Sequence, residues 1–394
     1  MTDGDTHMEF ELYCKPYRQA TKHVMCRNRK CFADSPRLVL LLRILNIMLM
    51  LLYAAQAVAA EHAVILMYHH ISDEMPKSTS VTPMMFEKHM QYLEHNGYSV
   101  QPLLSTLQHL LAGEAVPERT VVITFDDAYR SVYTQAWPRL SKRGWPFSVF
   151  VTTGYIGNGH NNFMSWDELR ELSYYGAGIG NHSLSHSHPV RKYANESTVH
   201  WKQRVTEEVT GAQHRLQAEI GNPIPVFAYP YGEFSSELES LLAELGYFGL
   251  GQQSGAVGQH SDFQALPRFP MAAGFDDMDN FAIKVAARPL PVTVIGPPDH
   301  VLPVATDIPE LHMFLEPGNY DAARLACYAS GQGRIQVDWI DRAAGEVRVR
   351  ANEALAPGRA KYNCTAPAKQ GKDIYYWYSQ LWMKPQADGS WYRE

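Results

Sequence analysis

From Ala63 onward, short runs rich in β-branched and aromatic residues alternate with longer stretches of helical periodicity, and this alternation restricts the possible folds more than any other feature. Strands are expected over Val64 to Tyr68, Val121 to Phe125, Phe147 to Thr152, Ala177 to Asn181 and Pro225 to Tyr229. Helices are expected over Thr82 to Asn96, Ala128 to Arg143, Ser165 to Tyr175, His200 to Ile220 and Ser235 to Leu245. Strands joined through helices run largely parallel. The expected fold class is α/β, a barrel or a doubly wound sheet with functional groups at the carboxyl ends of the strands.

At 394 residues the chain is long enough for one enzyme-sized domain and a smaller companion. The boundary is expected at a Pro-rich stretch, with a first domain over 61–287, a linker over 288–298 and a small β-rich unit over 299–394. In that unit Arg334 to Trp339, Glu346 to Val349 and Ile374 to Met383 read as short strands of an all-β sandwich. Its aromatic run, Tyr375 to Tyr378 with Trp382, is either sandwich core or a carbohydrate platform.

Residues 1–60 read as an N-terminal extension that ends in an export signal or an uncleaved anchor. The apolar run Leu38 to Ala55 is interrupted only by Arg43 and Asn46 and is followed by small residues through Ala60. The stretch before it is long for the basic part of a signal, so Met25 or Met48 is an alternative start. A membrane is expected as a partner only through this segment, and the periplasm or cell envelope as the location. Cys14, Cys26 and Cys31 precede the run, and only Cys327 and Cys364 follow it, either as a disulfide or as two buried thiols. A net charge of −6 argues against nucleic acid as a partner.

Three polar clusters follow predicted strands. Asp126 and Asp127 end the second, and adjacent carboxylates repel unless their tasks differ, for instance one on a metal and the other a general base; a solvated strand end is the plainer alternative. His182, His186 and His188 follow the fourth strand; a helical turn would bring His182 and His186 onto one cation, with His188 as a substitute ligand. Pro230, Tyr231 and Gly232 follow the fifth, a turn able to offer the Tyr231 N–H to an oxyanion.

Taken in this order, Asp126-Asp127, His182-x-x-x-His186 and Pro230-Tyr231-Gly232 resemble the polysaccharide deacetylases of carbohydrate esterase family 4, over roughly Ala63 to Ala273. The resemblance implies a distorted (β/α) barrel and metal-dependent removal of N-acetyl groups from an amino-sugar polymer. It also implies zinc or another divalent ion on Asp127, His182 and His186, Asp126 as the base that activates water, and Tyr231 at the oxyanion. Leu66 to His70 and the form Phe227 to Gly232 are similar to the subgroup acting on β-1,6-linked N-acetylglucosamine polymers; chitin, peptidoglycan and acetylated xylan are the other substrates expected.

The chain departs from the family in two places. The Arg usual before the Pro-Tyr-Gly turn is replaced by Ala228 and Tyr229, and Arg268 is the candidate to orient Asp126. No late Leu-x-His motif supplies a general acid, and His69 is the candidate, against a structural histidine. Trp166 and Pro230 are candidate sugar contacts, Trp166 being a core residue in the other reading. The reading from a different class is a non-catalytic glycan-binding envelope protein on a deacetylase scaffold.

Overall fold

The computed structural model describes residues 59–159, 161–296 and 299–392. Its first part is built on strands β1 (His62–Tyr68), β2 (Thr120–Phe125), β3 (Ser148–Val151), β4 (Gly178–Asn181), β5 (Val226–Ala228), β6 (Phe248–Leu250) and β7 (Phe269–Pro270). The first six lie in the order β6-β5-β4-β3-β2-β1, all parallel, and β7 adds in parallel to β1. Every residue of β2 and β3 is buried, as expected of a sheet covered on both faces.

The outer edge of β1 is shared. Val257–Gly258 pairs antiparallel with its beginning, and β7 pairs with its end. Leu266, just before β7, also bridges Leu250 at the end of β6. The result is a mixed sheet curved into a half-barrel, with residues 266–270 spanning from β6 to β1.

Helices α1 (Pro83–His95), α2 (Leu103–Leu111), α3 (Trp137–Ser141), α4 (Trp166–Tyr174), α5 (Thr198–Ile220), α6 (Ser236–Glu244) and α7 (Met278–Val285) accompany the sheet. Side-chain caps set several starts: Thr82 accepts from Met85 N, Ser197 from His200 N and Ser235 from Leu238 N, while Ser165 and Glu168 form a capping box. The helix expected over Ala128 to Arg143 is present from Arg130 to Ser141, but it passes through a π-helical turn, Val132–Ala136, before the short α3. Pro138, near the start of α3, has no amide hydrogen to give to a continuous helix.

The second part consists of strands β8 (Arg288–Pro289), β9 (Val292–Gly296), β10 (Glu310–Leu315), β11 (Ala326–Ala329), β12 (Gly333–Asp341), β13 (Glu346–Arg350), β14 (Gly358–Pro367) and β15 (Tyr375–Lys384). They form one sheet in the order β8-β15-β14-β11-β12-β13-β10-β9. This corrects the expected sandwich. The two edge strands are separated in sequence by only Leu290 and Pro291, so the sheet has to roll on itself, and register shifts in β9 and β12 help it bend. One alternating face, including Leu311, Met313, Val347, Val349, Tyr362 and Trp382, forms the core of this second half-barrel. Cys327 and Cys364 lie directly opposite on β11 and β14 and form a disulfide.

The linker expected over 288–298 is also corrected, since as far as Gly296 it supplies the two edge strands. Its prolines are accommodated because an edge strand need not donate on its open side. Leu381 and Met383 of β15 share a core with Trp201, Val205, Phe227 and Tyr229. The aromatic run packs inward or against neighbours, with Trp377 edge-on to Phe269, Tyr376 beside Tyr320 and Trp382 against Tyr362. Among the described residues no helix is long and apolar enough to cross a membrane; the apolar run of residues 38–55 lies outside them.

Candidate active site

Beyond β2 the backbone turns abruptly, because Asp127 and Ala128 both take positive φ, 69° and 56°. The turn separates the two neighbouring carboxylates. Asp126 is fully buried, and its two oxygens each accept from Arg268, from Nη1 and Nη2, at 2.7 Å. Arg268 is fully buried as well, and donates from Nε to Gly251 O at 2.9 Å and from Nη1 to Thr124 Oγ1 at 3.3 Å. Burial pushes the Asp126 carboxyl up, but the charge and hydrogen bonds of Arg268 outweigh it and hold the group below the usual carboxylate range.

Asp127 meets the two histidines instead. Its Oδ1 lies 3.3 Å from Nε2 of His182 and 3.3 Å from Nε2 of His186. The convergence comes from an irregular turn, not the helical one expected: Ser183 and His186 take positive φ of 69° and 56°. Ser183 N donates to Asn181 Oδ1 and His186 N to Ser183 Oγ, both at 2.9 Å. Glu208 of α5 accepts from Leu184 N, from Ser185 N and from the Ser185 hydroxyl, pinning the loop to the helix. His182 Nδ1 lies 2.7 Å from Ala228 O, and a carbonyl only accepts, so the proton sits on Nδ1 and the Nε2 lone pair points at Asp127.

These three residues fit a divalent cation. Asp127 Oδ1 is buried yet makes no hydrogen bond, and the three ligand atoms lie within 4.8 Å of one another. One carboxylate oxygen and two imidazole nitrogens are a zinc donor set that leaves a coordination position open.

His69 is half-buried just past β1, within electrostatic reach of both Asp126 and Asp127. Tyr231 sits in its turn at φ 59°, with its ring 4.6 Å from that of His186 and stacked at 3.9 Å on His188. His188 lies outside the cluster of three ligand atoms, and its Nδ1 pairs with Glu233 at 2.9 Å. Pro230 is buried within the turn and offers little surface to a sugar. Trp166 is likewise not brought to the site: it packs against the core beneath Arg215, whose guanidinium lies 5.3 Å from its ring.

The aromatic wall comes from residues the sequence reading passed over. Tyr129 stacks between His70 and Phe163, Phe163 neighbours Tyr155, and Tyr155 lies 6.3 Å from His186. Burial and the adjacent Asp127 push the Tyr129 hydroxyl up, while burial and His69 pull His70 down to about 4. The signal available for Tyr129 was its place two residues after Asp127.

Glu233, directly after the Pro-Tyr-Gly turn, was also missed. It is fully buried and accepts from the Tyr392 hydroxyl at 2.6 Å and from Arg191 at 2.9 Å, besides pairing with His188. Burial raises its carboxyl, but His188, Arg191 and Tyr392 hold it down to about 2 against an ordinary 4.5. A depressed carboxylate contributes stability that is complete above about pH 4.5 and is lost as pH falls toward 2, on the order of 3 kcal/mol. Glu233→Gln is expected to flatten the fall in urea midpoint across that window. A variant with the parent's slope would place the acid sensitivity elsewhere.

Residues 113–249 match the family model described as polysaccharide deacetylase. All three motifs fall inside that match, while His69 and Arg268 fall outside it. The chain is 26% identical over 209 residues to a poly-β-1,6-N-acetyl-D-glucosamine N-deacetylase of Staphylococcus aureus (strain MSSA476), covering 51% of this chain and 71% of that protein. A protein of the same description from Escherichia coli (strain K12) is 24% identical over 241 residues, 52% of this chain but only 36% of its own length. In fold, the chain is similar to the Streptococcus pyogenes deacetylase PplD in complex with acetate, at a TM-score of 0.51 and 21% identity, over 57% of this chain and 98% of that one. The family-model match spans the strand ends that carry Asp126, His182 and Tyr231, so residues 113–249 of the chain carry a domain that matches polysaccharide deacetylase.

Proposed function

We propose that the protein hydrolyses N-acetyl groups of an amino-sugar polysaccharide and releases acetate, with a divalent cation, zinc in the first instance, held by Asp127, His182 and His186. The observation that carries this reading is the cluster of three ligand atoms around an unbonded Asp127 oxygen, next to the separately anchored Asp126. When bound, the cation supplies Lewis-acid stabilisation of negative charge on the acetamide oxygen and acidifies water.

The residues of the chain supply the rest. Arg268 keeps Asp126 ionised and aimed, so that a lone pair not used by the guanidinium takes a proton from the attacking water. Water oxygen bonds to the acetamide carbon, the C–N bond breaks, and His69 gives a proton to the departing amine. The Tyr231 N–H stabilises the oxyanion. Tyr129, Phe163 and Tyr155 offer ring faces for a sugar. The two relatives described as poly-β-1,6-N-acetyl-D-glucosamine deacetylases favour a β-1,6-linked polymer, and the N-terminal apolar run favours work in the periplasm or envelope.

The test is acetate release by the full chain from β-1,6- and β-1,4-linked N-acetylglucosamine oligomers, with zinc and with a chelator. Release from the β-1,6 oligomer, abolished by the chelator and restored by zinc, is expected. No release from either oligomer by metal-loaded protein would leave the glycan-binding reading in its place.

A further inference from the structure

The turn proposed to serve the oxyanion is held from outside the deacetylase domain. Tyr231 carries an aromatic side chain at φ 59°, a left-handed conformation that is strained for a non-glycine residue and persists only where its surroundings impose it. The next residue is confined as well. Gly232 follows at φ 68°, where a Cβ would stand 2.6 Å from Gln252 Cβ and 2.9 Å from its backbone nitrogen.

A hold on Tyr231 comes from β14. Arg359 Nη1 donates to Tyr231 O at 2.9 Å, its guanidinium lies 5.5 Å from the Tyr231 ring, and Glu233 stands 3.8 Å away as a countercharge. Two residues on, Lys361 Nζ donates to Gln252 O at 2.7 Å, gripping the segment against which Gly232 rests.

We infer that Arg359 is a positioning residue for the reaction, and that the C-terminal sheet contributes to catalysis by fixing the Tyr231 turn. The inference rests on the deacetylase reading. A hydrogen bond to the Tyr231 carbonyl sets the plane of the peptide between Tyr231 and Gly232. Without it the strained tyrosine relaxes toward negative φ, and its N–H swings away from the acetamide oxygen. A donor that serves only the oxyanion acts on the transition state, so its displacement lowers kcat and spares KM.

The experiment compares Arg359→Ala and Arg359→Lys with the parent, all full-length and zinc-loaded, by acetate-release kinetics, thermal melting and zinc titration. Arg359→Ala is expected to lose about 10- to 100-fold in kcat, with KM within about twofold and an unchanged zinc affinity. Arg359→Lys, which keeps a cationic donor, is expected to recover a measurable part of the loss. A kcat within twofold of the parent, or a loss that appears in KM or disappears after correction for the folded fraction, overturns the inference alone. Absence of acetate release by the zinc-loaded parent overturns the deacetylase reading and the inference together.

Discussion

Asp126→Asn is expected to lower kcat for acetate release by about 10²–10⁴-fold, the range for losing a positioned general base, while leaving zinc binding intact. The two effects separate because the neighbouring carboxylates have separate partners: Asp127 faces His182 and His186, whereas both oxygens of Asp126 face Arg268. Asparagine preserves the volume but leaves the buried Arg268 guanidinium without its countercharge, so stability is expected to fall as well and kcat is compared per folded, zinc-loaded protein. KM should change little, since water activation is felt only on the way to the transition state. Zinc content measured beside the kinetics decides the matter. An Asp126→Asn protein with one zinc and activity within tenfold of the parent would remove Asp126 from the role of base.

The second large effect concerns Arg268. Arg268→Met should destabilise the fold by about 3–5 kcal/mol, because it leaves a fully buried carboxylate without its partner. It should also abolish activity, through the lost alignment of Asp126. The pH dependence tests the cause. With Arg268 gone, burial alone would raise the folded-state pKa of Asp126 above its unfolded value, so the variant's deficit should shrink as pH falls and the carboxyl takes up a proton. Asp126→Asn combined with Arg268→Met should recover much of the stability and none of the activity. Urea midpoints of the four proteins at neutral and acid pH form the double-mutant cycle. A deficit independent of pH would point to lost packing of the guanidinium stem.

The ladder of strands and helices was largely legible, because its signals are local. The expected strand Val121 to Phe125 is Thr120–Phe125, and the expected helix Ser165 to Tyr175 is Trp166–Tyr174 behind its Ser165 cap. Misjudged elements depended on context beyond the segment. Arg288 to Gly296 reads as a linker because its prolines disfavour strands in general, and the sheet makes it an exception by placing it at its edges. The alternation in Glu346–Arg350 announces one buried face but does not say whether a second sheet or the same sheet covers it. Trp166 and Phe163 belong to one short segment of sequence. Only packing sends Phe163 to Tyr129 beside the site and Trp166 under Arg215.

The sequence by itself determined which chemistry the strand ends can carry: two carboxylates after β2, imidazoles after β4 and a Pro-Tyr-Gly turn after β5, each cluster contiguous and placed by its own strand. Tertiary structure alone decided how those groups are divided and held. Tyr231 meets Arg359 across 128 residues, whereas the pairing of Asp126 with Arg268, 142 residues apart, was legible only through the family resemblance. Glu233 meets Tyr392 across 159. Hydrogen bonds over such separations leave no periodicity or spacing in the chain, because they depend on where the sheets curve and which loops they bring face to face.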